Sequence, residues 1–270
     1  MIDRFLFHGF AVGLQGRIRA PFDEIIPVQA ASALPETGGY GSARVDNFRF
    51  HEILSCTAAY SQVAGAKSEK GSYDSIATVT IEHVNLLNMV TADRVVARIA
   101  SKHPDDPEAE PSVIPLGSYF ENLRIAGQPV VIELATDTFT KFDTARSIRE
   151  AYETNQDGFR EEFDHLSLTG RGPEIPDQLR KYFPACGLQK PKAIPERKGV
   201  IACSLVRKLA LPGHASYGHV IYLPGFGAIR LAEFKIFQGR RRITMVQVDL
   251  GSMPEGNVLM GDTEGNGTPW

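Results

Sequence analysis

Apolar and polar positions alternate most regularly between Ser75 and Ile99. Ala77, Val79, Ile81 and His83 fall on one face of a period-two run, with Ile76, Thr78, Thr80 and Glu82 on the other. After an apolar bend at residues 85–90, Val95, Ala97 and Ile99 share a face opposite Arg94 and Arg98. Alternation with β-branched enrichment predicts two half-buried strands.

The same pattern, less cleanly, predicts strands over 4–19, 42–50 and 55–64. In the first of these Gly9, Gly13 and Gly16 interrupt the alternation and mark bends or bulges. Residues 20–41 hold Pro21, Pro27, Pro35 and Gly38-Gly39, and read as a long connection in which Glu24-Ile25-Ile26 make a short edge pairing. Residues 65–73 read as a polar turn. The stretch from His103 to Pro111 carries three prolines and an acidic bias, which predicts an exposed, mobile loop. Residues 118–125 and 129–134 predict a hairpin around Ala126-Gly127-Gln128, with Gly127 supplying a positive φ.

Near Thr138 the period changes. Phe159, Phe163 and Leu166 are spaced i, i+4, i+7, a helical face. Asp143 or Thr144 is placed to cap a preceding helix, and Pro176 leads a third short helix over 175–182. Strand patterning returns with Val200–Leu209 and His219–Leu223. Pro224 to Gly227 then make a turn, and Ala228–Phe237 and Arg242–Leu250 form a final antiparallel pair whose Ile229, Leu231, Val246 and Val248 feed a core. The resulting expectation is a mainly β chain, an antiparallel β-sandwich with a helical insertion. Residues 1–137 and 199–250 would form one discontinuous β domain, 138–198 the insertion, and the Gly-rich 251–270 a flexible tail.

Composition changes this picture little. The chain has 270 residues, 43% hydrophobic and 23% charged, with net charge −3 and pI near 6.2. Disordered and collagen-like classes are excluded, and no basic bias points to nucleic acid. The run Arg240-Arg241-Arg242 reads as a solvated strand start. Cys56, Cys186 and Cys203 form no CxxC pair, so reduced, partly buried thiols are expected, with a Cys186–Cys203 disulfide as the alternative. The N-terminus lacks the basic and apolar regions of a secretion signal. No apolar run is long enough for a transmembrane helix. A natural start at Met1 would imply a cytoplasmic protein.

Candidate chemistry is sparse. The seven histidines (His8, His51, His83, His103, His165, His214 and His219) show no HxH or HExxH spacing and read as structural or surface residues, so no metal site is assigned. There is no GxSxG, and Cys203 has Ile201 and Leu205 where a nucleophile elbow needs glycine. Gly9-x-x-x-Gly13 and Gly38-Gly39-Tyr40-Gly41 do not open a helix after a strand, so they are not phosphate loops. Glu161 and Glu162 diverge on a helix and belong to a solvated face. Asp105, Asp106, Glu108 and Glu110 lack EF-hand spacing and read as loop charges. Leu34-Pro35-Glu36-Thr37-Gly38 matches a sortase signal by letters alone, without the apolar span and basic tail that its chemistry needs, and reads as a turn. No catalytic residue and no cofactor is assigned; the binding residues are left unknown.

Five segments nevertheless occur in a familiar succession. They are Leu34-Pro-Glu-Thr-Gly-Gly, Val84-Asn-Leu-Leu-Asn-Met-Val-Thr-Ala-Asp, Asn122-Leu-Arg-Ile-Ala-Gly-Gln-Pro-Val, Leu223-Pro-Gly-Phe-Gly-Ala-Ile-Arg-Leu-Ala-Glu and Val246-Gln-Val-Asp-Leu. Over 34–134 and 219–250 the chain resembles the bacterial choice-of-anchor P proteins. The resemblance implies a β-rich, secreted or surface-associated protein with no catalytic residues to carry over. It does not cover 138–198. The functional expectation is a non-catalytic binding or structural module acting through its surface, self-associating as a homo-oligomer by strand pairing. Two alternatives stand beside it. One is an enzyme whose site lies between the insertion and the sheet, using His165, Glu162 or His214. The other is a pore-forming or toxin-like β protein.

Overall fold

The computed structural model describes residues 5–106, 109–166, 175, 179, 201–237, 239–251 and 254–269. The chain runs β1 (Phe5–Ala20), β2 (Glu24–Ala33), β3 (Gly39–Phe50), β4 (Leu54–Lys67), β5 (Tyr73–Leu86) and β6 (Val90–His103). Short strands follow: β7 (Ser112–Ile114), β8 (Tyr119–Glu121), β9 (Arg124–Ile125), β10 (Gln128–Pro129) and β11 (Val131–Leu134). Then come α1 (Thr136–Lys141), α2 (Ala145–Thr154) and α3 (Phe159–Leu166). The last part holds β12 (Ile201–Ser204), β13 (Val206–Ala210), β14 (Ser216–Tyr217), β15 (Val220–Leu223), β16 (Gly227–Phe237), β17 (Arg240–Gly251) and β18 (Glu255–Pro269).

Two antiparallel sheets pack face to face, as the alternation predicts. The first is ordered β14-β15-β16-β17-β18-β1-β2, with β12 added on β16; the second is β10-β9-β6-β5-β4-β3, with β7 and β8 added on β6. β1 and β18 lie against β4, β5 and β6, and one apolar core joins both sheets, with Leu14, Ile18, Val79, Ile81, Val95, Ile99, Ile229, Leu231, Val246 and Val248 buried in it. The helices sit between β11 and β13, which pair with each other. Phe159, Phe163 and Leu166 are all buried, as their spacing predicts, and the α1 residue Phe139 meets Phe234 of the first sheet edge-on at 4.9 Å. Thr144 is the N-cap of α2, in a capping box with Ser147.

Four expectations are corrected. The expected tail over 251–270 is corrected at Glu255–Pro269: β18 is bonded to β1 on one side and to β17 on the other, so it lies in the middle of the first sheet. Residues 24–33 are a full strand along β1, with a register shift between Leu14 and Gly16. β11 leaves the hairpin of β9 and β10 and pairs with β13 instead. The acidic loop is fastened at Glu110, whose carboxylate accepts the Ala145 and Arg146 backbone N–H groups, both at 2.8 Å. An anion there satisfies donors that a helix start leaves open. The expected helix over 175–182 falls largely outside the described residues, as does Cys186.

A further departure concerns the phase of alternation. On β5 the buried face runs Ala77, Val79, Ile81 and then resumes at Val84 and Leu86; His83 is exposed with φ +49°. No residue is inserted, because Glu82 still pairs with Arg94 and Val84 with Ala92. The neighbouring strands change phase on the same rung, through Asn47, Thr57, His83, Asp93 and Asn122, all exposed. Asn47 on β3, His83 on β5 and Asn122 between β8 and β9 have positive φ. A strand that changed phase alone would turn its apolar side chains to solvent; a whole row changing together keeps both the register and the core.

The first sheet does the same at Ala232, Met245, Gly261, Gly13 and Ala30, with positive φ at Ala232, Gly261 and Ala30. Here the residue at each change of phase points inward. A Cβ on Gly13 would lie 3.3 Å from the Ala59 Cβ across the sandwich, and one on Gly261 would lie 3.6 Å from a Val95 methyl. The crease of the first sheet therefore comes into close approach with the second sheet, at Ala59 and Val95. The chemistry of each row follows: small or flexible side chains inward in one, polar side chains outward in the other.

Candidate functional site

A concave feature among the described residues lies on the outer face of the first sheet, near the start of β1. It has a volume of about 550 Å³ and is lined by Phe7, His8, Gly9, Phe10, Ala33, Leu34, Glu36, Arg240 and Glu264. One wall is the segment that links β2 to β3. The Leu34 N–H donates to the Gly9 carbonyl at 2.8 Å and the Phe7 N–H to the Glu36 carbonyl at 2.9 Å, which holds this segment on β1. The Gly38 N–H closes a turn onto the Pro35 carbonyl, so the sortase-like letters do serve as a turn. Register sets the opposite wall. Phe10 pairs with Glu264 on β18, and Glu264 with Arg242 on β17.

Behind the cleft a row of ion pairs crosses the same face. Arg242 donates twice to Asp262, once at 2.8 Å, and Thr244 donates to the same carboxylate at 3.0 Å. Arg230 binds both Glu233 and Asp249 at 2.9 Å, and His219 lies 3.6 Å from Glu233. Burial alone would raise the Glu233 carboxyl, but hydrogen bonding from His219 and the charge of Arg230 hold it down at about 2. Glu264 differs. Arg240 approaches it only to 3.7 Å and rests its guanidinium 4.6 Å above the Phe237 ring. Burial raises the Glu264 carboxyl against the charges of Arg240 and Arg242, and Asp262 adds to the rise.

The other candidate residues are placed apart from the cleft. Glu162 accepts from Arg207 at 2.8 Å and from the Thr138 hydroxyl at 2.7 Å. His165 contacts the Arg207 carbonyl at 2.8 Å. Arg207 also binds Asp137 and Glu133, so the group ties α1 and α3 to the β11–β13 pair. His214 is exposed on the turn after β13, and among the described residues no hydrogen bond joins it to His165 or Glu162, which bind Arg207 instead. Glu161 is exposed, as expected of a solvated face, but Glu162 is half-buried against Arg207 and Thr138 and does not belong to it. His103 is buried beside Phe5, and burial lowers it to about 4. Cys56 and Cys203 are both buried, and burial lifts Cys56 to about 11. Among the described residues no three His, Cys, Asp or Glu side chains converge for a metal. No helix among them is long and apolar enough to cross a membrane.

The run of three arginines is not uniformly solvated. Arg240 and Arg242 face outward, whereas Arg241 is 2% exposed. It points into the sandwich and donates to the Asp143 carbonyl at 2.5 Å, and burial lowers it to about 10. The cleft residues Arg240 and Glu264 carry no sequence signal of their own. Glu264 sits in the stretch that reads as a tail, and strand pairing alone brings it opposite Phe10.

No curated protein and no solved structure matches the chain. A family model described as Domain of unknown function (DUF8256) matches residues 5–237. That span covers the helices and every strand before β17, and it ends short of Arg240 and Glu264. The chain therefore belongs to the DUF8256 family.

Proposed function

We propose that this protein is a non-catalytic binding module whose ligand seat is the cleft between β1, the β2–β3 link, β17 and β18. The observation that carries the reading is a contrast in charge pairing. Arg242, Arg230 and Arg207 are each bonded to carboxylates at hydrogen-bond distance, while the half-buried Glu264 beside the cavity has Arg240 only at 3.7 Å. A pocket of this size, with an apolar floor and a few polar groups, has the proportions of a small-molecule site. The buried thiols and the tied-down Glu162 and His165 supply no nucleophile beside a base, which favours binding over turnover.

Titrating the ¹⁵N-labelled protein with a mixed-charge fragment library tests this. Shifts should cluster at the amides of Gly9, Phe10, Leu34, Arg240 and Glu264. Shifts confined to other faces would overturn the seat, and a turnover abolished by one substitution would overturn the non-catalytic reading.

A second reading, self-association, is favoured by β2. It ends the first sheet and leaves Ile25 71% and Val28 52% exposed. Sedimentation equilibrium of the wild type and of Val28→Lys should then differ, with the variant shifted toward monomer. Identical masses would remove this reading.

A further inference from the structure

Resting on the cleft as ligand seat, we propose that its ligand is a small organic cation: a protonated amine carried on an apolar stem. The lining holds two carboxylates, Glu36 and Glu264, against one guanidinium, Arg240, together with His8. Asp262 stands two residues before Glu264 on the same face of β18, and Arg242 is committed to it through both carboxylate oxygens. Arg240 does not complete Glu264, because its guanidinium lies over Phe237 and reaches the carboxylate only at 3.7 Å.

Among the described residues Glu264 therefore has cationic neighbours but no guanidinium at hydrogen-bond distance, in a place where water is partly excluded. An ammonium there would give a charge-assisted hydrogen bond to a desolvated carboxylate, the stronger kind. An anion would meet Glu36 and Glu264, and a neutral polar group would leave Glu264 as it is. Phe10, Ala33 and Leu34 form an apolar floor for the stem. The raised carboxyl of Glu264 supports this: an arriving cation favours its ionised form, so binding near that range releases a proton.

The experiment uses the full chain and three probes of one shape: 3-phenylpropylamine, 3-phenylpropanol and 3-phenylpropanoate. Affinities come from calorimetry and positions from amide shifts. The amine should bind at the cleft, with the alcohol about tenfold weaker and the carboxylate weaker still. Glu264→Gln keeps the shape of the side chain and should remove the amine's advantage over the alcohol. Glu36→Gln should weaken the amine by a smaller factor. Nα-acetyl-lysine methylamide presents the same ammonium on a peptide. If it binds more tightly than the free amine the natural source is a protein side chain, and if more weakly a free metabolite; either result supports the cation. Equal or tighter binding of the carboxylate at the cleft overturns the cation inference and leaves the seat standing. So does an amine preference that survives in Glu264→Gln. If none of the probes moves a cleft amide while other faces respond, the seat itself falls, and the inference with it.

Discussion

His103 shows how one buried side chain sets a pH dependence. The sandwich buries its ring against Phe5 and lowers it from 6.5 to about 4, so the folded protein keeps it neutral where the unfolded chain takes up a proton. Stability tied to this group is complete above about pH 6.5 and falls as pH drops toward 4, by roughly 3 kcal/mol. His103→Phe keeps a ring beside Phe5 and should flatten urea-unfolding stability over that interval. An unchanged slope would show that His103 is not its source. Glu233 acts in a separate range: held down at about 2, its contribution is present above about pH 4.5 and is lost as pH falls toward 2. Glu233→Gln would leave Arg230 buried with one carboxylate fewer. Its expected cost is about 3 kcal/mol at neutral pH, read by the same unfolding assay.

Single residues also mark where period-two reading loses its phase. His83 counts with Ala77, Val79 and Ile81 by alternation, yet it is exposed, because its positive φ shifts the phase by one. Nothing in its neighbours signals this. Asn and His tolerate that backbone region better than β-branched residues, but so do they in any turn. The opposite row is partly visible as Gly13, which reads as an interruption of β1 and proves to be a point of close approach between the sheets.

Among the elements, α2 and α3 were legible, whereas α1 and the added strand were not. The spacing of Phe159, Phe163 and Leu166 needs no tertiary information, and Thr144 is a strong capping residue. β2, by contrast, reads Glu-Ile-Ile-Pro-Val-Gln-Ala-Ala-Ser-Ala. Pro27 and a run of small residues give it little intrinsic strand preference; pairing with β1 makes it a strand, and its edge position accommodates the proline.

The fastening of α2 was missed for a similar reason. Glu110 lies 35 residues before Ala145, so no local motif joins them. Glu110→Ala should cost about 1–2 kcal/mol and speed hydrogen exchange at the Ala145 and Arg146 amides ahead of global unfolding. Exchange at those amides equal to wild type would refute the fastening.

For the whole molecule, mainly antiparallel architecture with a helical insertion follows from the spacing of apolar residues. The middle of the first sheet does not. β18 contains Gly256, Gly261, Gly265 and Gly267, which read as looseness. In the fold at least one of them reflects crowding: a Cβ on Gly265 would lie 2.8 Å from an Ile99 methyl. The cleft was illegible for the same reason, since Glu264 became a candidate only once β18 was placed beside β1. Ending the chain after Gly251 should therefore abolish cooperative unfolding rather than trim a disordered end. Far-UV circular dichroism and a thermal melt test this, and a melt within a few degrees of wild type would contradict the central place of β18.

That place has a consequence for how the protein is made. β3 to β6 are consecutive, so the second sheet can assemble as it emerges. β1 emerges long before β18, and their pairing waits for it. At about 5–20 residues per second, the edge of β1 that faces β18 stays open for on the order of ten seconds or more. For that interval the nascent chain carries an unsatisfied strand beside a finished sheet, a template for pairing with another copy. A ribosome stalled between Leu250 and Glu255 would hold the protein in that state, and chaperone binding should peak there.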